Sequence, residues 1–439
     1  MFKCYRCGHK QREPGTCEIC GSVTAFVPDN FTAISDMKQL ASENDGIWRY
    51  ASMLPDFPTK VTLGEGNTPL IRANRLSSLL GVDLYIKNES INPTGSYLDR
   101  GSAVAISYAA SYGKKEIHCE SRGNVGASLA AYAVRAGLGC SLYYSEIKSL
   151  GKLYQTLAYG AKLVKGQLPE VLPPSAHVSG EMDSYFLTGL KTLSYEIFEK
   201  KPNFFDYIFI SVGEGGGISM LFAGFQDTEE LFKARVPALV GVYLSAQNSI
   251  VDDLSTSGIH VTLADFSISV TDGFKIKVED SEIVEAMRVL ARSEGLFAEP
   301  AAAVALAGLI KAVDWGLVGK NSRVLYILTG SGLKDPVAIG TLIGVKARQE
   351  EEEGAPGIND TKKAILNILY VEPAYGYRIW KKLKEMGIEK TLPDVYIALK
   401  DLLNDGLIKA TTTARGGRVS KIYELTTKGR KYVELLLSY

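Results

Sequence analysis

Four cysteines near the N-terminus have the spacing of a metal site. Cys4 and Cys7 form one C-x2-C pair, Cys17 and Cys20 form a second, and a glycine follows each pair. Glycine permits a tight turn there, so that four thiolates can surround one Zn²⁺ tetrahedrally. Two disulfides would use the same cysteines, but intracellular reducing conditions oppose them. The spacing predicts a zinc ribbon over residues 1–26, structural in role because so short a segment buries no core alone.

Two other segments place backbone N–H groups at the start of a helix, where they favour an anion. The first is NPTGSYLDRG over 92–101, a turn that contains Ser96 and precedes the run SAVAISYAASYG. The second follows the apolar run YIFISV and contains Gly213, Gly215, Gly216 and Gly217. Glycines also occur in sharp turns that bind no ligand. A glycine loop between a strand and a helix, however, favours phosphate binding.

These segments belong to a long alternation of apolar strands and helix-periodic runs. The alternation extends from about Leu63 to Pro336 and predicts parallel βαβ units. We therefore expect a two-lobed α/β body over residues 27–345. The charge run RQEEEEGAPG follows, and its composition predicts a linker over 346–357.

Several motifs in this body resemble threonine synthases and other fold-type-II pyridoxal phosphate (PLP) enzymes of the tryptophan synthase β-like fold. They include LGEGNTPLIRANRL, NPTGSYLDRG, SRGNVG, GKLYQTLAYGAKLV and TGSGLKDP, all in the family's order. The resemblance implies that the glycine loop holds the PLP phosphate, Asn124 the ring hydroxyl and Thr329 the pyridine nitrogen. It also implies a lysine that forms a Schiff base with PLP. That position is Leu98, which has no amine, so no catalytic residue is expected there.

Three further departures alter the substrate pocket that the resemblance implies. Phe186 stands where an arginine would hold a substrate phosphate, Glu214 replaces an asparagine, and Val125 replaces a threonine. A lysine engineered to leucine would explain Leu98 but none of these three. Lys87 is one candidate for a substitute amine in an active enzyme, but it lies on the strand before the turn, where the resemblance implies a lysine in addition to the Schiff-base one. The sequence therefore favours a body that binds PLP, a PLP adduct or an amino acid without a covalent bond.

The last 82 residues have a different charge from the rest of the chain. The whole chain has 49 Lys/Arg and 49 Asp/Glu, but residues 358–439 have 15 against 9, a balance of +6. Three helical runs, a hairpin and a closing helix predict a winged helix, and its motifs resemble the PadR-like regulators. The resemblance implies a third helix in the DNA major groove and a wing on the backbone. The expected contacts come from Tyr396, Lys400, Arg415, Arg418 and Lys421, with Tyr396 equally suited to the core.

Three functions are consistent with these patterns. The preferred one is a cytoplasmic transcription regulator that binds double-stranded DNA as a homodimer and senses a small molecule in a catalytically disabled body. An active threonine synthase-like lyase with an appended domain is the alternative, and a scaffold that binds only proteins is the third. No apolar run approaches the length of a membrane span, so no membrane partner is expected.

Overall fold

A computed structural model describes residues 1–30, 36, 41, 46–121, 123–144, 150–245, 249, 251, 254, 260–335, 360–388, 390–415 and 418–437. The chain divides into two compact units, Met1–Val345 and Lys346–Tyr439. The linker predicted over 346–357 lies outside the described residues.

The first unit alternates strands and helices along most of its length. Its strands are β1 (Phe2–Cys4), β2 (Lys10–Gln11), β3 (Thr24–Phe26), β4 (Leu70–Arg72), β5 (Asp83–Asn88), β6 (Glu116–Glu120), β7 (Gly139–Tyr144), β8 (Lys162–Lys165), β9 (Ala176–Val178), β10 (Tyr207–Ser211), β11 (Ala238–Leu244), β12 (Lys275–Val278) and β13 (Arg323–Leu328). Its α-helices are α1 (Asn74–Leu80), α2 (Asp99–Ser111), α3 (Asn124–Arg135), α4 (Leu150–Ala158), α5 (Ser184–Leu190), α6 (Thr192–Lys200), α7 (Gly216–Phe232), α8 (His260–Val270), α9 (Asp280–Glu294) and α10 (Pro300–Asp314). Three 3₁₀ segments span Gly46–Met53, Glu89–Ile91 and Gly332–Lys334.

Two largely parallel sheets form the body. One has the order β12-β11-β10-β13-β5-β4, with only β4 antiparallel to its neighbour, and the other has the order β8-β7-β6-β9. Helices cover the sheets, so strands such as β13, with the sequence RVLYIL, are almost continuously apolar and buried. The α/β body predicted from the alternating pattern is confirmed. Sequence periodicity missed β9, a three-residue strand that pairs with β6.

The cysteine-containing segment packs on the body through buried polar contacts. Its three short strands form an antiparallel sheet in the order β2-β1-β3. The Tyr5 hydroxyl donates to Asp227 at 2.8 Å, and the Lys191 ammonium donates to Asp227 at 2.9 Å and to the Phe26 carbonyl at 2.7 Å. These side chains are buried, so the segment forms part of the first unit.

The second unit contains α11 (Asp360–Val371), β14 (Ala374–Tyr375), α12 (Gly376–Glu385), α13 (Leu392–Asn404), β15 (Ile408–Arg415), β16 (Arg418–Leu425) and α14 (Thr427–Leu437). The strands form an antiparallel sheet in the order β14-β16-β15. Helix α13 begins with a capping box between Thr391 and Asp394 and buries Val395, Leu399 and Leu402. This is the predicted arrangement of three helices, a hairpin and a closing helix. Within the described residues, no helix has the length and apolar character needed to cross a membrane.

Candidate ligand site and DNA-binding surface

The turn before α2 is held at the carboxyl end of β13. Gly95 has a φ of +77°, a conformation that glycine adopts without strain. The Tyr97 amide donates to the Thr329 carbonyl at 3.0 Å, and the Ser331 amide donates to the Gly95 carbonyl at 3.0 Å. Leu98 is therefore placed at the N-cap of α2, and only 5% of the residue is exposed.

Asp99 completes this helix start. Its carboxylate accepts the Thr94 amide at 2.7 Å and hydroxyl hydrogen bonds from Thr94 and Ser128, each at 2.6 Å. Burial raises the pKa of Asp99, although these hydrogen bonds oppose the shift. The Asp99 carboxylate therefore ties the Thr94 turn to the first residue of α2.

A cavity of about 420 Å³ lies where the turn, the glycine loop and the start of α3 meet. Every residue predicted to bind a small molecule lines it: Ser96, Asn124, Gly213, Gly215, Gly216, Gly217 and Thr329. Leu98, Val125 and Glu214, three of the family departures, line it as well. Much of this lining follows the carboxyl ends of β6, β10 and β13, the usual place for ligands in open α/β sheets.

The glycine loop has the geometry of a phosphate cradle, but its own chain fills part of it. Gly215 is the N-cap of α7 with a φ of +98°. A methyl group at Gly217 would lie 2.7 Å from the Tyr97 hydroxyl oxygen, and one at Gly216 would lie 3.3 Å from Glu181 Oε2. A carboxylate and a tyrosine therefore lie against the helix N-terminus that a cofactor phosphate would require.

Glutamates dominate the charge of the cavity lining. Glu120, Glu181, Glu214 and Glu299 contribute, and the described lining residues include no lysine, arginine or histidine. Glu299 accepts a hydrogen bond from the Asn124 side chain at 2.8 Å and lies 3.5 Å from the Lys152 ammonium. Without an amine at position 98 and with a carboxylate at the cradle, these residues do not fit PLP in the manner of the family.

Lys87, the candidate for a substitute amine, is hydrogen-bonded to groups outside the cavity. The Lys87 ammonium donates to the Thr68 carbonyl at 2.7 Å and to Glu196 at 2.6 Å. Arg100 donates to Glu196 at 2.8 Å, and Glu89 completes a buried cluster of two positive and two negative groups. The partly exposed Lys200 ammonium also lies 3.4 Å from Glu196. Burial lowers the pKa of Lys87, and the two carboxylates oppose this shift. Lys87 does not line the cavity described here.

Phe186 is also absent from the cavity lining. Its ring is fully buried and packs against Gly101 of α2, where an added Cβ would lie 2.9 Å from three ring carbons. Its apolar character is thus explained by core packing between α5 and α2. No sequence pattern predicted Tyr97, Glu120 or Glu299 as lining residues. The Glu-Pro pair at the start of α10 was the available signal for Glu299.

The four N-terminal cysteines converge as their spacing predicts. Their sulfur atoms all lie within 4.8 Å of one another, with Cys4 and Cys20 3.5 Å apart and Cys7 and Cys17 3.6 Å apart. A tetrahedral Zn²⁺ with Zn–S bonds of about 2.3 Å requires sulfur separations of roughly 3.8 Å. The thiol set fits a structural zinc site with four protein ligands.

Most of the predicted DNA contacts are on described surface of the second unit. Tyr396 and Lys400 are exposed on α13, and Lys421 is exposed on β16. Tyr396 is 45% exposed, which favours a surface role, although its ring also packs against Gly376. Arg415 and Arg418 pair across the end of the hairpin by backbone register. The intervening predicted turn, 416–417, lies outside the described residues.

Comparison with known proteins agrees with this geometry. The family model described as pyridoxal-phosphate dependent enzyme matches residues 61–330, and the model of the PadR-like transcriptional regulator family matches residues 365–435. The chain is 35% identical over 381 residues to a threonine synthase of Methanocaldococcus jannaschii. The aligned region covers 77% of this chain and 94% of that protein. It is 37% identical over 314 residues to a threonine synthase of a Bacillus species, covering 66% of this chain and 89% of that protein.

Solved structures agree on the fold of the body. O-ureido-L-serine synthase matches with a TM-score of 0.53 at 20% identity, over 66% of this chain and 94% of that chain. A pyridoxal 5'-phosphate-dependent aspartate racemase matches with a TM-score of 0.52 at 22% identity, over 60% of this chain and 90% of that chain. At such identities the similarity establishes the architecture alone.

Proposed function

The chain belongs to the family of pyridoxal-phosphate dependent enzymes and carries a PadR-like domain, and on that premise we propose that it is a DNA-binding transcription regulator. Its threonine synthase-like body binds a small molecule without catalysing threonine formation. The winged helix binds double-stranded DNA, and occupancy of the body changes DNA affinity. The observation that carries this proposal is Leu98, an alkyl side chain that lines the cavity at the position of the family's cofactor lysine.

The surroundings of Leu98 support a body without catalytic function. Schiff-base chemistry needs an amine beside the ligand, and the described cavity lining contains no lysine. Lys87 is bonded to Glu196 and Thr68 in the buried charge cluster, so it is not an available nucleophile. The described lining can still bind a ligand through main-chain donors, the Asn124 amide and the glutamate carboxylates.

The exposed face of α13 supports DNA recognition. Tyr396 and Lys400 are four residues apart, so both lie on one side of the helix. Lys421 is a further exposed cation on β16, in a module of net charge +6. We propose a cytoplasmic location for the protein. We also propose that it is a homodimer, because winged-helix regulators of this type commonly read two half-sites with two-fold symmetry. The cysteine cluster binds one structural Zn²⁺ in this proposal.

A fluorescence anisotropy titration of the full chain against duplex DNA tests the proposal. Specific DNA should bind more tightly than unrelated DNA, and affinity should fall as salt rises because phosphate contacts release counterions. A ligand of the body should change DNA affinity by about 5–150-fold, the usual range of coupling between two sites. No DNA binding at low salt over varied sequences would leave a protein-binding scaffold. PLP-dependent threonine formation by the purified chain would restore the enzyme alternative.

A further inference from the structure

We infer that Ile397 contacts the C5 methyl group of a thymine in the DNA major groove and thereby selects one A·T base pair in each half-site. This inference rests on the proposed function, because it names a base contact for the DNA-binding surface of α13. Three features support it: the exposure of Ile397, the packing of the neighbouring Tyr396, and the kinds of side chain that α13 presents to solvent.

Ile397 is an aliphatic side chain on the solvent-facing side of α13. The residue is 61% exposed, whereas Val395 and Leu399, which face the core of the second unit, are 0% and 1% exposed. Pro393 lies four residues before Ile397 and Lys400 three residues after it, so both lie on the same side of the helix, and both are exposed. The first turns of α13 thus present an apolar strip, Pro393 and Ile397, with a cation beside it.

Tyr396, the other exposed apolar residue nearby, has its ring held against α12. A Cβ added to Gly376 would lie 2.7 Å from Tyr396 Cε1 and 2.9 Å from the Tyr396 hydroxyl oxygen. The ring therefore lies on the first residue of α12, and Tyr396 is less exposed, at 45%, than Ile397. Tyr396 contributes to the packing of α12 on α13, which leaves Ile397 as the most exposed large apolar side chain of α13.

Few side chains of α13 can recognise a base by paired hydrogen bonds. Arginine recognises guanine in this way, and asparagine and glutamine recognise adenine, but none of the three occurs in residues 392–403. The Asp394 carboxylate accepts the Thr391 amide at 3.0 Å and the Thr391 hydroxyl at 2.5 Å within the capping box. Asn404 is the last residue of α13, about 10 Å beyond Ile397 along the helix axis. Apolar contact is therefore the base contact that the N-terminal half of α13 favours, and this half of a recognition helix meets the base edges.

Thymine is the base that matches an aliphatic side chain. Among the four DNA bases it alone presents a methyl group in the major groove. The Ile397 side chain has no hydrogen-bonding group, so it can pack on that methyl group but cannot pair with the polar edge of another base. Burying one such group changes affinity by about fourfold at the usual value for a buried CH₂.

The charge around Ile397 favours DNA over a second copy of the protein. Lys400 on α13 and Lys421 on β16 are exposed cations in a module of net charge +6. Phosphates flank every base pair, so these cations would be attracted to the DNA backbone while Ile397 meets the groove. A second module of the same charge would be repelled from this face.

Replacing thymine with uracil in bound DNA tests the contact. The probe is the tightest duplex that the full-length chain selects from a random-sequence library, and deoxyuridine, which lacks only the methyl group, replaces each thymine in turn. At one thymine in each half-site, this replacement should weaken binding about fourfold in anisotropy titrations at fixed salt. Ile397→Ala should bind the thymine duplex at least about fourfold more weakly than wild type. The variant should show no further loss with uracil at that position, because both changes remove the same contact.

Val371→Ala is the matched control variant. Val371 is also a β-branched aliphatic residue of the second unit, 78% exposed at the end of α11. This variant should keep the wild-type difference between thymine and uracil duplexes. Ile397→Ala should leave the salt dependence of binding unchanged, since a methyl contact releases no counterion. Thermal melting checks that both variants are folded.

The outcomes separate this inference from the proposed function. Equal affinity for thymine and uracil duplexes at every position, or a full uracil penalty in Ile397→Ala, would overturn the methyl contact and leave a DNA-binding regulator intact. A smaller assembly of Ile397→Ala than of wild type in sedimentation would identify this face as a contact between subunits and would also overturn the inference. Absence of DNA binding by the full-length chain would refute the proposed function and the methyl contact together.

Discussion

Replacing Glu196 with glutamine should destabilise the first unit by about 3–5 kcal/mol, because it removes the carboxylate that two buried cations share and that the partly exposed Lys200 also approaches. The cluster contains Lys87, Arg100, Glu89 and Glu196, whose side chains are 0–1% exposed. Lys87 and Arg100 donate to Glu196 at 2.6 and 2.8 Å. Glutamine keeps the shape but removes the charge, so one cation remains buried without compensation.

Urea denaturation measures this loss. Trp48 and Trp315 report on the first unit, and a Trp380→Phe background removes the tryptophan signal of the second unit. The urea midpoint should fall while the slope of free energy against urea stays unchanged, because the same surface is exposed on unfolding. The control is Glu229→Gln, an exposed substitution expected to change stability by about 0.5 kcal/mol or less. Adding Lys87→Met to Glu196→Gln removes one buried cation that has lost its carboxylate and should recover part of the loss.

The stability loss caused by Glu196→Gln should be smaller at low pH than at neutral pH. Burial raises the pKa of Glu196, but Arg100 and Lys87 outweigh burial and hold that pKa well below its ordinary value. A lowered folded-state pKa contributes stability that is present above the unfolded pKa of about 4.3 and is lost as pH falls toward the folded value. The difference between wild type and Glu196→Gln should therefore be full at neutral pH and narrow below about pH 4. A neutral-pH loss under about 1 kcal/mol, or a difference independent of pH, would refute the reasoning.

Three further predictions concern the metal, the cofactor and the wing. Elemental analysis of freshly purified protein should find one Zn²⁺ per chain, and Cys17→Ser should release it; metal-free wild type would remove the zinc site. Borohydride reduction of the freshly purified protein should attach no cofactor to the chain, because the described cavity lining contains no lysine; a stable reduced adduct on wild type would contradict this. Replacing Arg415 and Arg418 with alanine should weaken binding to all DNA sequences and flatten the salt dependence by roughly two units, measured by anisotropy at several salt concentrations; an unchanged slope would exclude contacts by this pair.

Local patterns were sufficient for much of the architecture. Strand-to-helix alternation predicted the parallel body because buried parallel strands are apolar throughout and their crossover helices carry a different period. The cysteine spacing predicted convergence of four thiols, since each pair sits on one tight turn. The glycine loop and Asn124 line the cavity, because each occupies a turn between a strand and a helix; that they bind a ligand stays a prediction.

The polarity of the cavity was decided by tertiary structure. Glu181, Glu299 and Tyr97 come from three separate segments, and none carries a local signal that it faces the glycine loop. Phe186 shows the converse, because its motif position suggests a ligand contact and the fold buries it against Gly101. Sequence by itself determined the missing amine at Leu98, since no fold can supply a nitrogen to leucine. Only the packing of helices and turns determined which charges surround that position, because those distances depend on residues far apart in the chain.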